Sequence, residues 1–203
     1  MKNILIANPK GGSGKTTLST NIAGFLAGRG YSVAMLDLDS QKSATEWLRT
    51  RPAELPLIEP FQSAAKAKAT DWLVIDSPAS LYGKNLEHAL KLAHHVIVPI
   101  APSIFDIRAS REFLEILGRE KTVRKGKIFV GVVGMRMAPR TRAATTLEQY
   151  IAGLDIPVLA YLRETQVYVN AAFEGKSLFD LPGHLAEKEL EQWAYLQNWL
   201  EQR

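Results

Sequence analysis

Lys10-Gly11-Gly12-Ser13-Gly14-Lys15-Thr16-Thr17 lies between an apolar run, Ile4 to Ala7, and an amphipathic run through Leu18, Ile22, Phe25 and Leu26. That order is the strand, loop and helix that a phosphate-binding loop requires. Glycines let backbone N–H groups turn inward and approach phosphate oxygens with no Cβ in the way. The helix that follows offers unpaired N–H groups and a positive dipole end to the same anion. In such a loop Lys15 reaches the β- and γ-phosphates, and the Thr16 hydroxyl binds Mg²⁺.

The general pattern G-x-x-x-x-G-K-[ST] wants glycine at position 9, where this chain has Pro9, and the chain adds a second lysine, Lys10. One lysine suffices for a chain's own phosphates. Lys10 is therefore either a solvated loop lysine or a group aimed at a phosphate held by another subunit.

With Asp37-Leu38-Asp39-Ser40-Gln41 downstream, this stretch resembles the deviant Walker A motif of the ParA/MinD ATPases, and most of all the small, ParF-like partition ATPases. The resemblance runs from Met1 to about Asp180. It implies an α/β fold, a P-loop NTPase with a mostly parallel central sheet flanked by helices, in one domain over 1–203. It implies ATP and Mg²⁺ as cofactors, with Gly11, Gly12, Ser13, Gly14, Lys15, Thr16 and Thr17 around the phosphates. It further implies an ATP-sandwich homodimer in which Lys10 of each copy touches the other's nucleotide. Hydrolysis would be slow and stimulated by a ParB-type or other cargo-bound activator. The cargo would be a plasmid, a chromosome or another cellular assembly, moved over non-specific DNA.

Asp37 and Asp39 sit at the end of an apolar run, where a parallel α/β sheet puts its chemistry. Residues two apart on an extended chain point the same way, so both face the phosphates. The resemblance gives Asp37 to the Mg²⁺ shell and Asp39 to the attacking water. The alternative for Asp39 is to cap a helix expected over Gln41 to Arg51. Asp71-Trp72-Leu73-Val74-Ile75-Asp76 reads as a further strand ending in aspartate, like Walker B. Alone this is a weak signal; at this separation from a phosphate loop it is strong. Asp76 would hold Mg²⁺ through a water, and Ser77 to Ser80 would form a second switch loop.

Periodicity and punctuation place further helices at Lys15–Arg29, Ala64–Thr70, Leu86–Leu92, Ser103–Arg119, Thr145–Ile151, Val167–Phe173 and Leu185–Leu200. Ile104 is expected to point inward with Ile107, Phe113, Leu114 and Leu117. Strands are expected at Lys2–Asn8, Ser32–Leu38, around Leu57-Ile58, and at His95–Ile100, Ile128–Val133 and Pro157–Tyr161. By resemblance, Met135 and Arg136 serve the adenine from the loop after the Ile128 strand. No N-K-x-D element supports guanine.

The chain has 203 residues and no cysteine, which excludes a disulfide framework and thiolate chemistry. His94 and His95 are adjacent, face opposite sides of a strand, and have no third ligand in register. With no leader-like segment before the first strand, the cytoplasm is the expected compartment, with nucleoid association in the ATP state. Residues 101–143 carry ten Lys/Arg against four acids, a surplus of +6 in a chain of net +4. This is either a set of solvated faces or a surface for a polyanion. The resemblance favours DNA, with Arg136, Arg140, Arg142, Arg163 and Lys176 as candidate contacts.

The rival within the family is a MinD-like membrane-associated regulator, which needs a basic amphipathic C-terminal helix. From His184 to Arg203 this chain has four acids and two bases, and anionic lipid repels such a helix. A small-molecule ATP-dependent enzyme on the same fold remains open. The iron-protein branch lacks its cysteines, and the tyrosine-kinase branch lacks a tyrosine cluster, since Tyr195 stands alone.

Overall fold

The apolar run before the glycine-rich loop is the middle strand of the sheet. In a computed structural model describing residues 1–63 and 70–202, the strands are β1 (Lys2–Ile6), β2 (Val33–Asp37), β3 (Ile58–Pro60), β4 (Trp72–Asp76), β5 (His95–Ile100), β6 (Phe129–Met137) and β7 (Val158–Arg163). The helices are α1 (Lys15–Gly28), α2 (Ser43–Thr50), α3 (Gly83–Leu92), α4 (Ile104–Arg119), α5 (Lys121–Arg124), α6 (Arg142–Ala152), α7 (Gln166–Phe173) and α8 (Gly183–Glu201). The turn expected at Ala64–Thr70 falls almost wholly on 64–69, outside the described residues.

The sheet order is β3-β2-β4-β1-β5-β6-β7. Every pairing among the described strands is parallel, so the expected "mostly parallel" sheet is wholly so. Alternation along β1 feeds two apolar layers. Ile4 and Ile6 join α1, α2 and α8 on one face. Leu5 joins α3, α4 and α6 on the other. A strand buried on both faces reads as an unbroken apolar run, as Ile4 to Ala7 does.

Two expectations shift. β6 runs on through Met137, so Met135 and Arg136 belong to the strand and not to the loop after it. Ile104 is 50% exposed at the start of α4, so it does not join the core. On α8, Trp193, Leu196, Trp199 and Leu200 are buried against the sheet, whereas Leu185 is 54% exposed. No helix among the described residues is long and apolar enough to cross a membrane.

The end of α2 is tied to the segment beyond α7 by a buried ion pair. Arg51 donates from Nη1 to Asp180 Oδ2 at 2.8 Å and from Nη2 to Oδ1 at 2.9 Å. Their side chains are 5% and 4% exposed. Ser177 adds its N–H at 2.7 Å and its hydroxyl at 2.6 Å to Asp180 Oδ2. Gly175 allows the close approach: its φ is +65°, and a Cβ there would lie 2.5 Å from the Thr50 backbone. Burial alone would raise the Asp180 pKa, but the hydrogen bonds from Arg51 and Ser177 bring it below the ordinary carboxylate value.

Removing one partner leaves the other buried and uncompensated, so Arg51→Ala is expected to cost about 3–5 kcal/mol of stability in urea unfolding. The Asp180 contribution is complete above its unfolded pKa of about 4 and is lost as pH falls through the lower folded value. The gap between wild type and Arg51→Ala should therefore narrow as unfolding is repeated below about pH 4.

Candidate nucleotide site

The loop between β1 and α1 is held at its base by Asn8, which is fully buried. Asn8 Nδ2 donates to the Pro99 carbonyl at 2.7 Å and to Ser110 Oγ at 3.0 Å, and Oδ1 accepts the Lys10 N–H at 2.8 Å. Gly12 and Gly14 have φ of +73° and +93°, conformations that a side chain resists. Lys15 closes the loop from inside, its Nζ donating to the Lys10 carbonyl at 2.9 Å. Burial pushes the Lys15 ammonium below its ordinary pKa, against the pull of Asp76 and Asp39. The Lys10 backbone is thus pinned at both ends, while its side chain has no partner among the described residues.

Strand register supplies the carboxylates. Asp76 stands beside Ile6 on one side and Asp37 on the other. Asp76 is 1% exposed and accepts Thr16 Oγ1 at 2.8 Å and Ser19 Oγ at 2.9 Å. Burial pushes its pKa up to about 6; the two hydroxyls pull the other way and Asp37 adds to the rise. Ser19 lies outside every sequence motif. Its signal is the spacing from Thr16, three residues on along the same helix face.

Asp37 and Asp39 are held by different hydrogen bonds. Asp37 Oδ1 accepts the Asp39 N–H at 3.0 Å, and Oδ2 accepts the Thr45 N–H at 2.9 Å and the Thr45 hydroxyl at 3.1 Å. Asp37 therefore caps the first turn of α2, which begins at Ser43 and not at Gln41. Asp39 does not cap that helix: its Oδ1 accepts the Gln41 N–H at 3.0 Å within the preceding turn.

Lys15, Thr16 and Asp39 line a cavity of about 440 Å³. One wall is the loop from Gly11 to Thr17, with Asp39 at its edge. The opposite wall comes from the ends of β6 and β7 and from α7. Arg136 bulges out of β6 with φ +49° and donates from Nη2 to the Gly12 carbonyl at 2.6 Å. Arg163 donates from Nε at 2.6 Å to Glu189, a carboxylate of α8 that is 2% exposed. Tyr168 accepts the Trp193 indole N–H at 2.9 Å, and burial pushes its pKa up to about 12. Behind the phosphate loop, the Ser80 N–H bonds the Pro9 carbonyl at 3.0 Å, so the Ser77 to Ser80 turn abuts the loop's start.

The residue types fit Mg²⁺. It is a hard ion that takes one or two carboxylates, a hydroxyl and phosphate oxygens, and keeps waters. Thr16 and Asp76 already touch, and Asp37 is beside them. The remaining sequence candidates scatter. Arg140 is exposed in the turn before α6, and Arg142 is exposed as the first residue of that helix. Lys176 lies beyond α7 and is paired with Glu174 at 2.6 Å.

A Cβ at Gly14 would lie 2.7 Å from Met135 Cε and would sit on a positive φ. Gly14→Ala is expected to weaken nucleotide binding about tenfold, the effect of the roughly 1–2 kcal/mol that a left-handed residue costs. Adding Met135→Ala removes the clash but not the backbone cost, so titration with a fluorescent nucleotide should show partial recovery only.

Residues 4–178 match the model of the CobQ/CobB/MinD/ParA nucleotide binding domain. The maintenance of carboxysome distribution protein A of Halothiobacillus neapolitanus is 31% identical over 202 residues, covering 93% of each chain. An ATP complex of an aspartate-to-alanine variant of McdA from Cyanothece superposes with a TM-score of 0.70 at 19% identity, covering 97% of this chain and 96% of that one. Cobyrinic acid a,c-diamide synthase of Mycobacterium smegmatis, with bound ADP and magnesium, superposes with a TM-score of 0.67 at 21% identity, covering 95% and 97%. The phosphate loop, the aligned aspartates and a match spanning most of the sequence place the chain in the CobQ/CobB/MinD/ParA family of nucleotide-binding domains.

Proposed function

We propose that this chain is a positioning ATPase of ParA type. Two copies close over two molecules of Mg²⁺·ATP, hold non-specific DNA in that state, and let go after hydrolysis stimulated by a protein on the cargo. The observation that carries this reading is the convergence of Lys10, Lys15, Thr16, Asp39 and Asp76 around one loop, in a chain 31% identical to a carboxysome distribution protein along 93% of its length. The cargo would then be a large cellular assembly or a DNA molecule.

The loop N–H groups and Lys15 hold the β- and γ-phosphates. Thr16 and Asp76 would hold Mg²⁺, with Asp37 beside them, and the ion would supply positive charge to the phosphate oxygens. Asp39, with Oδ1 tied to Gln41, keeps Oδ2 free to orient the water that attacks the γ-phosphorus. Phosphoryl transfer asks the protein for position and charge more than for covalent chemistry. The pinned Lys10 backbone directs a free ammonium outward to the phosphates of the second copy.

The test is binding to unrelated duplex DNA at low salt without nucleotide, with ADP, with ATP, and with ATP on Asp39→Ala. DNA should bind with ATP only and stay bound in Asp39→Ala, whose turnover should fall by about 10²-fold or more. Absence of DNA binding in every nucleotide state would overturn the reading. Lys10→Ala should keep nucleotide affinity but stay monomeric with ATP in light scattering coupled to size exclusion.

A further inference from the structure

Three glycines in four residues, Gly11, Gly12 and Gly14, leave the tip of the phosphate loop free to turn. Its base is fixed. Asn8 holds the Lys10 N–H, and the Lys10 carbonyl accepts both Ser13 Oγ at 3.2 Å and Lys15 Nζ at 2.9 Å. Gly11 and Gly12, between these anchors, are exposed. The Gly12 carbonyl has one side-chain donor among the described residues, and it comes from far along the chain: Arg136 Nη2, at 2.6 Å.

β6 is shaped to deliver this contact. Gly134, opposite Ile100, is the last residue of β6 paired with β5. Beyond it the strand pairs only with β7. Gly134 stands opposite Tyr161 and Met137 opposite Arg163, so two residues of β6 answer one of β7. The extra residue makes a bulge, a device that re-aims a side chain. Met135 turns inward, 4% exposed, and packs so closely on the loop that a Cβ at Gly14 would lie 2.7 Å from its Cε. Arg136 takes a φ of +49°, which strains a residue with a side chain. Adjacent residues of one bulge thus grip the loop at Gly14 and at Gly12. Among the described residues Arg136 makes no ion pair, so no carboxylate competes for its guanidinium.

We propose that Arg136 is a positioning residue for the phosphate loop, holding the Gly12–Ser13 peptide in the orientation that receives the β-phosphate of a nucleoside di- or triphosphate. The proposal rests on the nucleotide reading of the cavity, and not on DNA binding or on the pairing of two copies. No peptide bond among the described residues is cis. In a trans peptide the carbonyl and the next N–H point opposite ways, so a guanidinium that fixes the Gly12 carbonyl also fixes the Ser13 N–H. A bond from a charged donor is stronger than one from a neutral donor, which suits a hold on a loop that glycine makes loose. Donors set in place before the ligand arrives need no ordering when it binds. This role is neither the adenine contact nor the DNA contact expected from sequence, because the bond to Gly12 commits the guanidinium to the loop backbone.

The test compares wild type with Arg136→Gly and Arg136→Lys in the full chain. Glycine accepts a positive φ, so Arg136→Gly removes the guanidinium and the backbone strain together, and its melting temperature should not fall. ATP, ADP and GTP are each titrated in competition with a fluorescent nucleotide. Arg136→Gly should weaken ATP and ADP by about tenfold each, the effect of losing one charge-assisted hydrogen bond. GTP should weaken by the same factor, so base preference stays as it was. Arg136→Lys keeps a charged donor and should recover part of the loss. Amide hydrogen exchange supplies a readout that contact with ligand alone would not move. Without nucleotide, the peptide covering residues 8–18 should exchange faster in Arg136→Gly than in wild type. A loss confined to ATP and ADP, with GTP unchanged, would give Arg136 to the adenine and overturn the proposal. Exchange of the free loop at the wild-type rate in Arg136→Gly would overturn it as well, because the loop would then not depend on the guanidinium. Wild-type protein that binds none of the three nucleotides would overturn the nucleotide reading and the proposal with it.

Discussion

Three parallel strands end level with one another, and the site depends on that. The register of β2, β4 and β1 sets Asp37 next to Asp76 and Asp76 next to Ile6, where β1 leads into the phosphate loop. Two carboxylates at such a spacing repel, and a buried one is costly to charge. The rise of the Asp76 pKa to about 6 is the local sign of that cost. Thr16 and Ser19 each donate a hydroxyl to it, which offsets part of the penalty. The remainder is what a divalent cation shared with phosphate oxygens would relieve, so the same arrangement that is awkward alone is suited to a loaded nucleotide.

The opposite wall of the cavity is built from the core. Glu189 and Trp193, both buried on α8, reach Arg163 and Tyr168 at the cavity's edge. Asp37 meanwhile ties the end of β2 to the first turn of α2, and Arg51 ties the last turn of α2 to Asp180. A shift of the loop between Asp37 and Thr45 on nucleotide binding would therefore be felt along the whole of α2. α8, packed on β7 and holding Arg163, is the rigid counterpart on the other side.

The sheet is legible in the sequence because its strands are buried on both faces and so read as unbroken apolar runs, as in Ile4 to Ala7 and Trp72 to Ile75. The phosphate loop is legible because its chemistry is contiguous. What the sequence hides is made by distant partners. Asp37 caps α2 through Thr45, eight residues on, which no local capping pattern marks. Glu189 looks like one acid on a solvated helix until β7 delivers Arg163 to it. The extension of β6 past Gly134 is hidden by a bulge, at which Arg136 takes a positive φ that a strand pattern does not contain. The basic stretch looks like one surface because its residues are near in sequence, while α4 carries them to opposite ends of the sheet.

The strand order also governs how the chain can come together as it is made. β1 is made before both of its neighbours, β4 and β5. Its first pairing partner is Trp72, opposite Lys2, and its second edge closes only when Ile4 meets His95. Until then the middle strand of the protein, with the nucleotide loop attached, has no sheet to enter. The phosphate loop is thus made before the strands that shelter it and structured late. A nascent chain must keep this segment from mispairing while the parts that will shelter it are still being translated.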